Sequence, residues 1–269
     1  AGRRRLGPEM VRRGRAASRE RARVAIDAGH VSVGGAPALK PSRLVAADEA
    51  VVVAAPPPRF VGRGGEKLAA ALERFAVDVS GRRVLDAGAS TGGFTDCALQ
   101  AGAATVVAVD VGRGQLHQRL LTDDRVEVHE RTNVRHCEPG DLGPPADVVV
   151  ADLSFISLRT VAAALFGLAA PGAELIWLVK PQFEAGRAEV NRAAGVITDP
   201  EVWHRVLLDV GAAIQGLGAT IMEVMPSPIR GADGNVEFLV HGRAPGGPPV
   251  EAPPLSTLVD DVLGEVGRR

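Results

Sequence analysis

From residue 59 onward, short uninterrupted apolar segments alternate with helical stretches, and no other feature of the sequence restricts the fold as strongly. The clearest apolar segments are ADVVVAD at 146–152 and AELIWLVK at 173–180. Continuous apolar strands are typical of a parallel sheet that helices cover on both faces. The alternation therefore predicts a doubly wound, mainly parallel, Rossmann-like α/β sheet.

Seven strands are expected in this region, and the last two are candidates for an antiparallel edge. They are Arg83–Ala87, Thr105–Asp110, Val126–Glu130, Asp147–Asp152, Glu174–Lys180, Thr220–Val224 and Glu237–Val240. We expect residues 59–269 to form one domain. Within it, residues 244–254 are a connection rich in proline and glycine, and the helical spacing of apolar residues predicts a C-terminal helix at 255–269.

Residues 1–58 have a different pattern, which predicts a second, small α+β domain. Two short helices are expected at 8–14 and 18–29, with Gly14 and Gly29 in the positions where glycine ends a helix. The remaining signals are a tight hairpin turn at Gly34-Gly35, a closing strand at Val51–Val53 and a stiff linker at Pro56–Pro58.

Charge is distributed unevenly along this chain, whose formal net charge is −1. Residues 1–59 hold twelve lysines and arginines against five acidic residues, so the remainder is acidic. Such asymmetry indicates a module that binds a polyanion, joined to an acidic one. On charge alone, a solvated charged face or a disordered basic arm explains the pattern equally well.

The sequence argues against several classes of protein. Cys97 and Cys137 have neither metal-binding nor redox spacing, and the six histidines form no metal motif. No apolar run approaches the roughly 20 residues of a transmembrane helix, and no signal-peptide core follows the basic N-terminus. We therefore expect a cytoplasmic protein without a metal site or membrane association.

The segment VLDAGASTGGFTD at 84–96 predicts a site for a nucleoside cofactor. A buried strand ends at Asp86, a glycine-rich turn follows, and a helix is expected to begin near Phe94. Ligands of doubly wound folds bind beside such turns. Gly88, Gly92 and Gly93 would let a ligand approach the backbone closely.

The charges near this turn indicate which cofactor it would bind. Asp110, at the end of the next strand, can accept hydrogen bonds from both ribose hydroxyls of a nucleoside. The turn departs from the GxGxxG pattern, and Asp86 adds negative charge that suits a cationic ligand better than a pyrophosphate. S-adenosylmethionine, with its sulfonium and ammonium groups, fits this description. The alternative is an ordinary strand–helix turn with incidental glycines.

The residues after the fourth strand indicate the type of methyl acceptor. Enzymes that methylate base amines typically carry an Asn/Asp-Pro-Pro-aromatic element there, whereas this chain has ADLSF at 151–155. Neither cysteine follows a proline, as the nucleophile of a cytosine-C5 enzyme typically does. Methylation of a hydroxyl is the attractive remaining option.

A hydroxyl needs a general base within reach while the methyl carbon lies in line. Lys180 is the candidate base, because burial or a second cation lowers the pKa of a lysine. Lys67 is the candidate second cation, and Asp152 and Glu237 could orient the lysines and the hydroxyl. Taken one at a time, each is more readily explained without a catalytic role, since a lysine at the end of a strand is usually a solvated residue.

Several motifs occur together, in order, over residues 6–243. They include MVRRGRAASRERARVAIDAGHVSV, FVGRGGEKL, LDAGASTGGFTD, DVGRGQL, ERTN, ADLSFISL, LVKPQFEAG, GVITDP and SPIRGADGNVEF. On these motifs the chain resembles the hemolysin A-like ribosomal RNA 2′-O-methyltransferases, a branch of the FtsJ-like group. In the linker, Phe60 and Gly62 stand where an aromatic Tyr or Trp and a Ser are usual.

The resemblance implies a function and a set of site residues. Members of the FtsJ-like group use a Lys-Asp-Lys-Glu tetrad, which maps by motif onto Lys67, Asp152, Lys180 and Glu237. Related enzymes methylate cytidine ribose in the RNA of one or both ribosomal subunits. The implied contacts with S-adenosylmethionine come from Asp86, Gly88, Ser90, Gly92, Gly93, Phe94, Asp110, Asn133 and Asp152.

The resemblance also identifies residues 1–58 as an S4-type RNA-binding domain. Its basic side chains would bind phosphates of ribosomal RNA, which position a protein without reading sequence. The candidates are Arg12, Arg13, Arg19, Arg21, Arg23, Lys40 and Arg43.

Three other functions compete with this interpretation. A non-catalytic ribosome-assembly factor with a decayed methyltransferase domain is disfavoured by the intact tetrad and glycine-rich turn. A membrane-lytic hemolysin would need amphipathic inserting segments, which the sequence lacks. An S4-bearing pseudouridine synthase is disfavoured by the cofactor turn and the α/β alternation.

Overall fold

The structure is a computed structural model that describes residues 3–16, 18–54 and 58–268. The chain divides into two compact units, residues 1–58 and 59–269. The linker prediction at Pro56–Pro58 falls largely on residues outside the described ones. Each unit has its own apolar core, and the two are described separately.

The first unit is a small α+β structure. Its helices are α1 (Leu6–Arg12) and α2 (Arg19–Asp27), and its strands are β1 (Arg4–Arg5), β2 (Val31–Val33), β3 (Ala36–Pro37), β4 (Leu44–Val45) and β5 (Val51–Val53). β2 lies between β3 and β5 in an antiparallel sheet, and β1 pairs with β4. Leu6, Met10 and Ile26 are fully buried in its core.

Local signals in the sequence explain these elements. Ser18 caps α2 by accepting a hydrogen bond from the Arg21 amide, and Gly29 follows the helix with φ 74°. Gly34 and Gly35 both have positive φ and connect β2 to β3 as a two-residue hairpin, as predicted.

The second unit contains a seven-stranded sheet and eight α-helices among the described residues. The strands are β6 (Arg83–Ala87), β7 (Thr105–Val109), β8 (Val126–His129), β9 (Ala146–Ala151), β10 (Ala169–Val179), β11 (Thr220–Pro226) and β12 (Phe238–Arg243). The helices are α3 (Gly64–Arg74), α4 (Gly93–Gln100), α5 (Gln118–Leu121), α6 (Leu158–Gly167), α7 (Pro181–Glu184), α8 (Arg187–Arg192), α9 (Pro200–Gly216) and α10 (Leu255–Val266).

The strand order is β11-β12-β10-β9-β6-β7-β8. β6 to β10 run parallel, and β12 is antiparallel to both of its neighbours, so β11 runs in the parallel direction. The last two strands therefore form one edge of the sheet and pair antiparallel with each other, as expected, but they do not both run against the parallel strands. Only β12 is antiparallel, and it lies inside the sheet because β11 pairs on its outer side.

Helices cover both faces of the sheet, as the apolar strands predicted. One core lies beneath α6, α9 and α10 and includes Trp177 and Phe238, whereas the other lies beneath α3 and α4 and includes Ile176 and Leu178. Neighbouring residues of β10 thus belong to opposite cores, as the alternation of side chains along a strand requires.

Candidate active site

Four of the predicted catalytic and cofactor-binding residues lie at one edge of the large sheet. Asp152 and Lys180 are the first residues after β9 and β10, and Asp110 is the first after β7. Glu237 immediately precedes β12. Because β12 is antiparallel, its amino end shares an edge with the carboxyl ends of the parallel strands.

Four charged side chains converge at this edge. Lys180 Nζ lies 2.7 Å from Asp152 Oδ1 and donates to Ser154 Oγ at 2.8 Å. Lys67 Nζ, supplied by α3, donates to Glu237 Oε2 at 2.6 Å and lies 3.7 Å from Asp152 Oδ2. Asp152 therefore has one lysine at each carboxylate oxygen.

The surroundings of this quartet are largely desolvated. Lys67, Lys180 and Glu237 are buried, and Asp152 is half-buried. Charges that lose their water are tolerated when they are paired and hydrogen-bonded. The quartet meets this condition by combining two cations with two carboxylates.

The quartet lines a cavity of about 380 Å³. Residues of the glycine-rich turn and of α3 also line this cavity, which is called the catalytic cavity because it holds the predicted catalytic residues, and the segment 229–233 contributes two charged side chains, Arg230 and Asp233. Phe155, Gln182 and Phe183 also line it. The opening thus presents aromatic, amide and charged groups beside the lysines.

A second cavity, of about 500 Å³, adjoins the first. Its lining combines apolar residues such as Val109, Val134 and Ile156 with the polar Asp110 and Asn133. Small-molecule sites typically have volumes of about 300–1,000 Å³ and this mixture of lining groups. The residues that line both cavities are Gly88, Ser90, Asp152, Ser154 and Phe155.

The glycines of the turn lie in different surroundings. Gly88 has φ 87° and lines both cavities, and a Cβ there would lie 2.6 Å from the Asp152 carbonyl oxygen. Gly92 has φ 95° and lines neither cavity, and a Cβ there would lie 2.1 Å from Leu120. Both glycines thus allow close packing, Gly88 against the backbone of Asp152 and Gly92 against the side chain of Leu120.

Asp86 lies beneath the turn and lines neither cavity. It is fully buried, and its Oδ2 accepts a hydrogen bond from Thr95 Oγ1 at 2.6 Å. Its Oδ1 has no hydrogen-bond partner among the described residues. Burial raises the pKa of Asp86 to about 7, and the nearby Asp152 carboxylate contributes.

Asp110 fixes the shape of the turn from the neighbouring strand. Its carboxylate accepts hydrogen bonds from the Ser90 amide at 2.8 Å and the Gly112 amide at 2.7 Å. Ser90 has φ 48°, a conformation that side chains seldom adopt, so these bonds stabilise a strained turn. Asn133 lines the second cavity together with Asp110. Its Oδ1 accepts a hydrogen bond from the Arg135 amide and so caps a short helical turn.

Two aromatic residues beside the quartet were not predicted as site residues. Phe155 is 90% exposed and has φ 65°, although it is not glycine. Its ring lies 5.1 Å from that of Phe183, and Lys180 Nζ lies 5.8 Å from the Phe183 ring. An exposed aromatic in a strained conformation usually has a functional reason. Phe155 belongs to the motif ADLSFISL and Phe183 to LVKPQFEAG, but their spacing in the sequence did not indicate that the two rings lie together.

Glu184 connects the two segments that carry these aromatics. It is buried and accepts hydrogen bonds from Ser157 Oγ at 2.5 Å and the Leu158 amide at 2.7 Å, at the start of α6. Burial raises the pKa of Glu184. Its contacts hold the segment after β9 against the segment after β10.

The basic residues of the first unit that the sequence suggested for RNA binding fall into three groups. Arg13 donates to the backbone oxygens of Ala46, Ala47 and Glu49, and Arg43 donates to those of Val33 and Pro37. These two guanidiniums serve the internal structure of the unit, which the sequence did not indicate. Arg12 pairs with Glu9 and Arg23 with Asp27, while Arg19, Arg21 and Lys40 are exposed.

Two absences can be stated for the described residues. Within 3–16, 18–54 and 58–268, no group of three or more His, Cys, Asp or Glu side chains could hold a metal ion. No helix in the same part of the chain is both long enough and apolar enough to span a membrane.

The fold and site define a class of protein. A parallel sheet with an inserted antiparallel strand, and a glycine-rich turn at its carboxyl edge, is a Rossmann-like methyltransferase sheet. The chain belongs to the FtsJ-like methyltransferase family, whose model matches residues 60–244. Residues 5–51 match the S4 domain.

Known proteins resemble the chain over most of its length. It is 47% identical over 266 residues to the 16S/23S rRNA (cytidine-2′-O)-methyltransferase TlyA of Mycobacterium tuberculosis, covering 98% of this chain and 99% of that protein. It is 45% identical to the candidate rRNA methyltransferase YqxC of Bacillus subtilis, in a match that covers 90% of this chain and 86% of that protein. A solved structure of a candidate hemolysin from Streptococcus thermophilus matches with a TM-score of 0.74 and 34% identity. The match covers 99% of this chain and 96% of that one.

Proposed function

We propose that this protein transfers a methyl group from S-adenosylmethionine to the ribose 2′-hydroxyl of a cytidine in ribosomal RNA. One observation carries the proposal. Lys67, Asp152, Lys180 and Glu237 converge on a cavity that adjoins a second cavity suited to a nucleoside. The names of the relatives, rRNA (cytidine-2′-O)-methyltransferase among them, agree with this chemistry.

The second cavity would hold the nucleoside part of the methyl donor. Asp110 at the end of β7 would accept from ribose hydroxyls, and Asn133 and Val134 would flank the base. Gly88 lies between the two cavities, where the methyl group must pass from donor to acceptor. The ionised form of Asp86 below the turn would favour a positively charged ligand above it.

S-adenosylmethionine supplies an electrophilic methyl carbon whose bond to a positively charged sulfur breaks, with the electron pair moving to sulfur. The ribose 2′-oxygen forms the new bond to that carbon and loses its proton. Lys180 Nζ would accept this proton, since it lies in the catalytic cavity beside Ser154 and Asp152.

The other three residues would support this transfer. Asp152, 2.7 Å from Lys180 Nζ, stabilises the ammonium that forms and orients the amine. Lys67 balances the charge of Asp152 and Glu237, so the quartet has no net charge once Lys180 is protonated. Phe155 and Phe183 would stack on the base of the acceptor nucleotide, as aromatic residues do with unpaired RNA bases.

The first unit would supply affinity for RNA. Arg19, Arg21 and Lys40 are exposed and would bind phosphates, which gives binding that weakens with salt. Arg12 and Arg23 are paired with Glu9 and Asp27, so they would add to RNA binding only where phosphates replace these carboxylates. In this proposal the first unit binds the RNA, and the four charged residues of the quartet determine the reaction rate.

Methyl transfer to separated ribosomal subunits tests the proposal. Wild type and Lys180→Ala are incubated with labelled S-adenosylmethionine and subunits that lack the modification, and the RNA is digested to nucleosides. We expect 2′-O-methylcytidine with wild type and its loss in the variant, with cofactor binding kept. Label on a base, or no transfer despite tight cofactor binding, would contradict the proposal.

A further inference from the structure

The chain between β9 and α6, residues 152–157, contains the strained Phe155 and is held at both of its ends. At the first end, Lys180 lies 2.7 Å from Asp152 Oδ1 and donates to Ser154 Oγ at 2.8 Å. A residue other than glycine keeps a positive φ only where its surroundings fix it. Because these contacts of Lys180 fix residues before Phe155, the contacts after Phe155 also bear on its conformation.

At the second end, the carboxylate of Glu184 occupies the start of α6. Its Oε2 accepts from Ser157 Oγ at 2.5 Å, and its Oε1 accepts from the Leu158 amide at 2.7 Å. A carboxylate is favourable at this end of a helix, where backbone N–H groups lack partners. Glu184 is buried and lines neither the catalytic nor the second cavity. Any effect that it has on the reaction therefore passes through the segments that it joins.

The second aromatic residue lies on the other of these segments. Phe183 directly precedes Glu184 in α7, and its ring lies 5.1 Å from that of Phe155. Both rings line the catalytic cavity and also a side cavity of about 260 Å³. One buried carboxylate thus joins the two backbone segments that carry the aromatic pair.

We propose that Glu184 is a positioning residue, which holds Phe155 and Phe183 in place to receive the base of the acceptor nucleotide. This inference rests on the proposed function, in which the two rings stack on that base. Without the contacts of Glu184, the strained Phe155 can relax to a negative φ, and its ring leaves Phe183. The contacts of Lys180 do not involve Glu184, so the loss should weaken RNA binding at the site more than it slows proton transfer.

Steady-state methylation of ribosomal subunits tests this proposal. KM and kcat are measured for wild type, Glu184→Ala, Glu184→Asp and Glu184→Gln, and calorimetry gives the melting temperature and the affinity for S-adenosylmethionine. The matched control is Glu174→Ala. Glu174 is also a buried carboxylate, pairs with His241 and Arg243, and lines none of the three cavities.

We expect Glu184→Ala to raise KM for subunits by about 5-fold or more, the loss typical when an aromatic residue no longer stacks on a base. Glu184→Asp should do the same, because its shorter side chain does not reach α6. Glu184→Gln keeps the length and an acceptor for the Leu158 amide, so its KM should stay close to that of wild type. In all three, kcat and cofactor affinity should change little. Glu174→Ala should lower the melting temperature and leave KM unchanged.

A double variant shows whether the effect passes through Phe155. In a Phe155→Gly background the ring is already absent, so Glu184→Ala should change KM little further. Glu184→Asp replaces Glu184→Ala if the latter does not fold. An equal increase of KM in both backgrounds, or an unchanged KM in the Ala and Asp variants, would overturn the inference while leaving ribose methylation intact. Absence of 2′-O-methylation by wild type would overturn both proposals.

Discussion

Lys180 Nζ lies 2.7 Å from Asp152 Oδ1, and this contact joins the ends of two adjacent parallel strands. Asp152 follows β9 and Lys180 follows β10, so the sheet itself sets their separation. Glu237 reaches the same place from the antiparallel β12, and Lys67 from α3. Rigid elements therefore hold all four charges, as precise positioning of functional groups requires.

A comparison of Lys180→Ala with Lys180→Arg shows whether Lys180 acts as a general base or only provides a positive charge. Both variants should lose roughly 100- to 10,000-fold in kcat, because arginine keeps the charge but does not release its proton. Calorimetry should show that S-adenosylmethionine binds both about as tightly as wild type. If Lys180→Arg kept most of the rate, the proton-accepting role of Lys180 would be wrong.

Substitution of Phe155 by glycine should affect stability and activity differently. Phe155 has φ 65°, so glycine relieves strain of about 1 kcal/mol or more, which offsets its greater chain entropy. The melting temperature should stay level or rise, while KM for ribosomal subunits rises because base stacking is lost. Leu217→Ala, at another exposed apolar side chain of the same unit, is the control and should leave KM unchanged. An unchanged KM in Phe155→Gly would contradict the stacking role.

Asp86→Asn should change how stability depends on pH. Folding raises the pKa of Asp86 from 3.8 to about 7, so the folded state holds a proton that the unfolded state has lost between these values. The contribution of Asp86 to stability is thus full below pH 3.8 and is lost as pH rises through about 7. In urea unfolding from pH 5 to 8, the free energy of unfolding of the variant should rise relative to that of wild type by up to about 1.4 kcal/mol per pH unit below pH 7. Above pH 7 the difference between the two should stay constant. A constant difference across this range would contradict the raised pKa.

Arginines of the first unit should separate into binding and structural residues. Arg19→Ala with Arg21→Ala should weaken RNA binding and lower the salt slope of log K by about 2, without changing the melting temperature. Arg13→Ala should instead lower the melting temperature, because three backbone carbonyls lose the Arg13 guanidinium as a donor and Glu9 keeps only its hydrogen bonds with Arg12. Filter binding at several salt concentrations and calorimetric melting distinguish the two. An unchanged salt slope in the double variant would contradict its phosphate contacts.

Much of the fold followed from local patterns. The apolar segments placed all seven strands of the large sheet within a few residues at most boundaries, because continuous apolar runs are recognisable without tertiary context. β10 begins at Ala169, well before the predicted Glu174, since pairing with β9 extends through residues with little strand signal. Paired glycines and the Ser18 cap likewise indicated the turns and helix start of the first unit.

Sequence by itself determined which chemical groups the chain carries and which strands and turns precede them. Lys180 after an apolar strand and Gly88 in a tight turn are features of local order along the chain. Tertiary structure decided what lies together: β12 runs antiparallel and brings Glu237 to Lys67, 170 positions away, while Arg13 and Arg43 turn inward to backbone oxygens. Contacts between distant segments depend on strand order and on competition for hydrogen-bond partners. Residue spacing along one chain records neither of these.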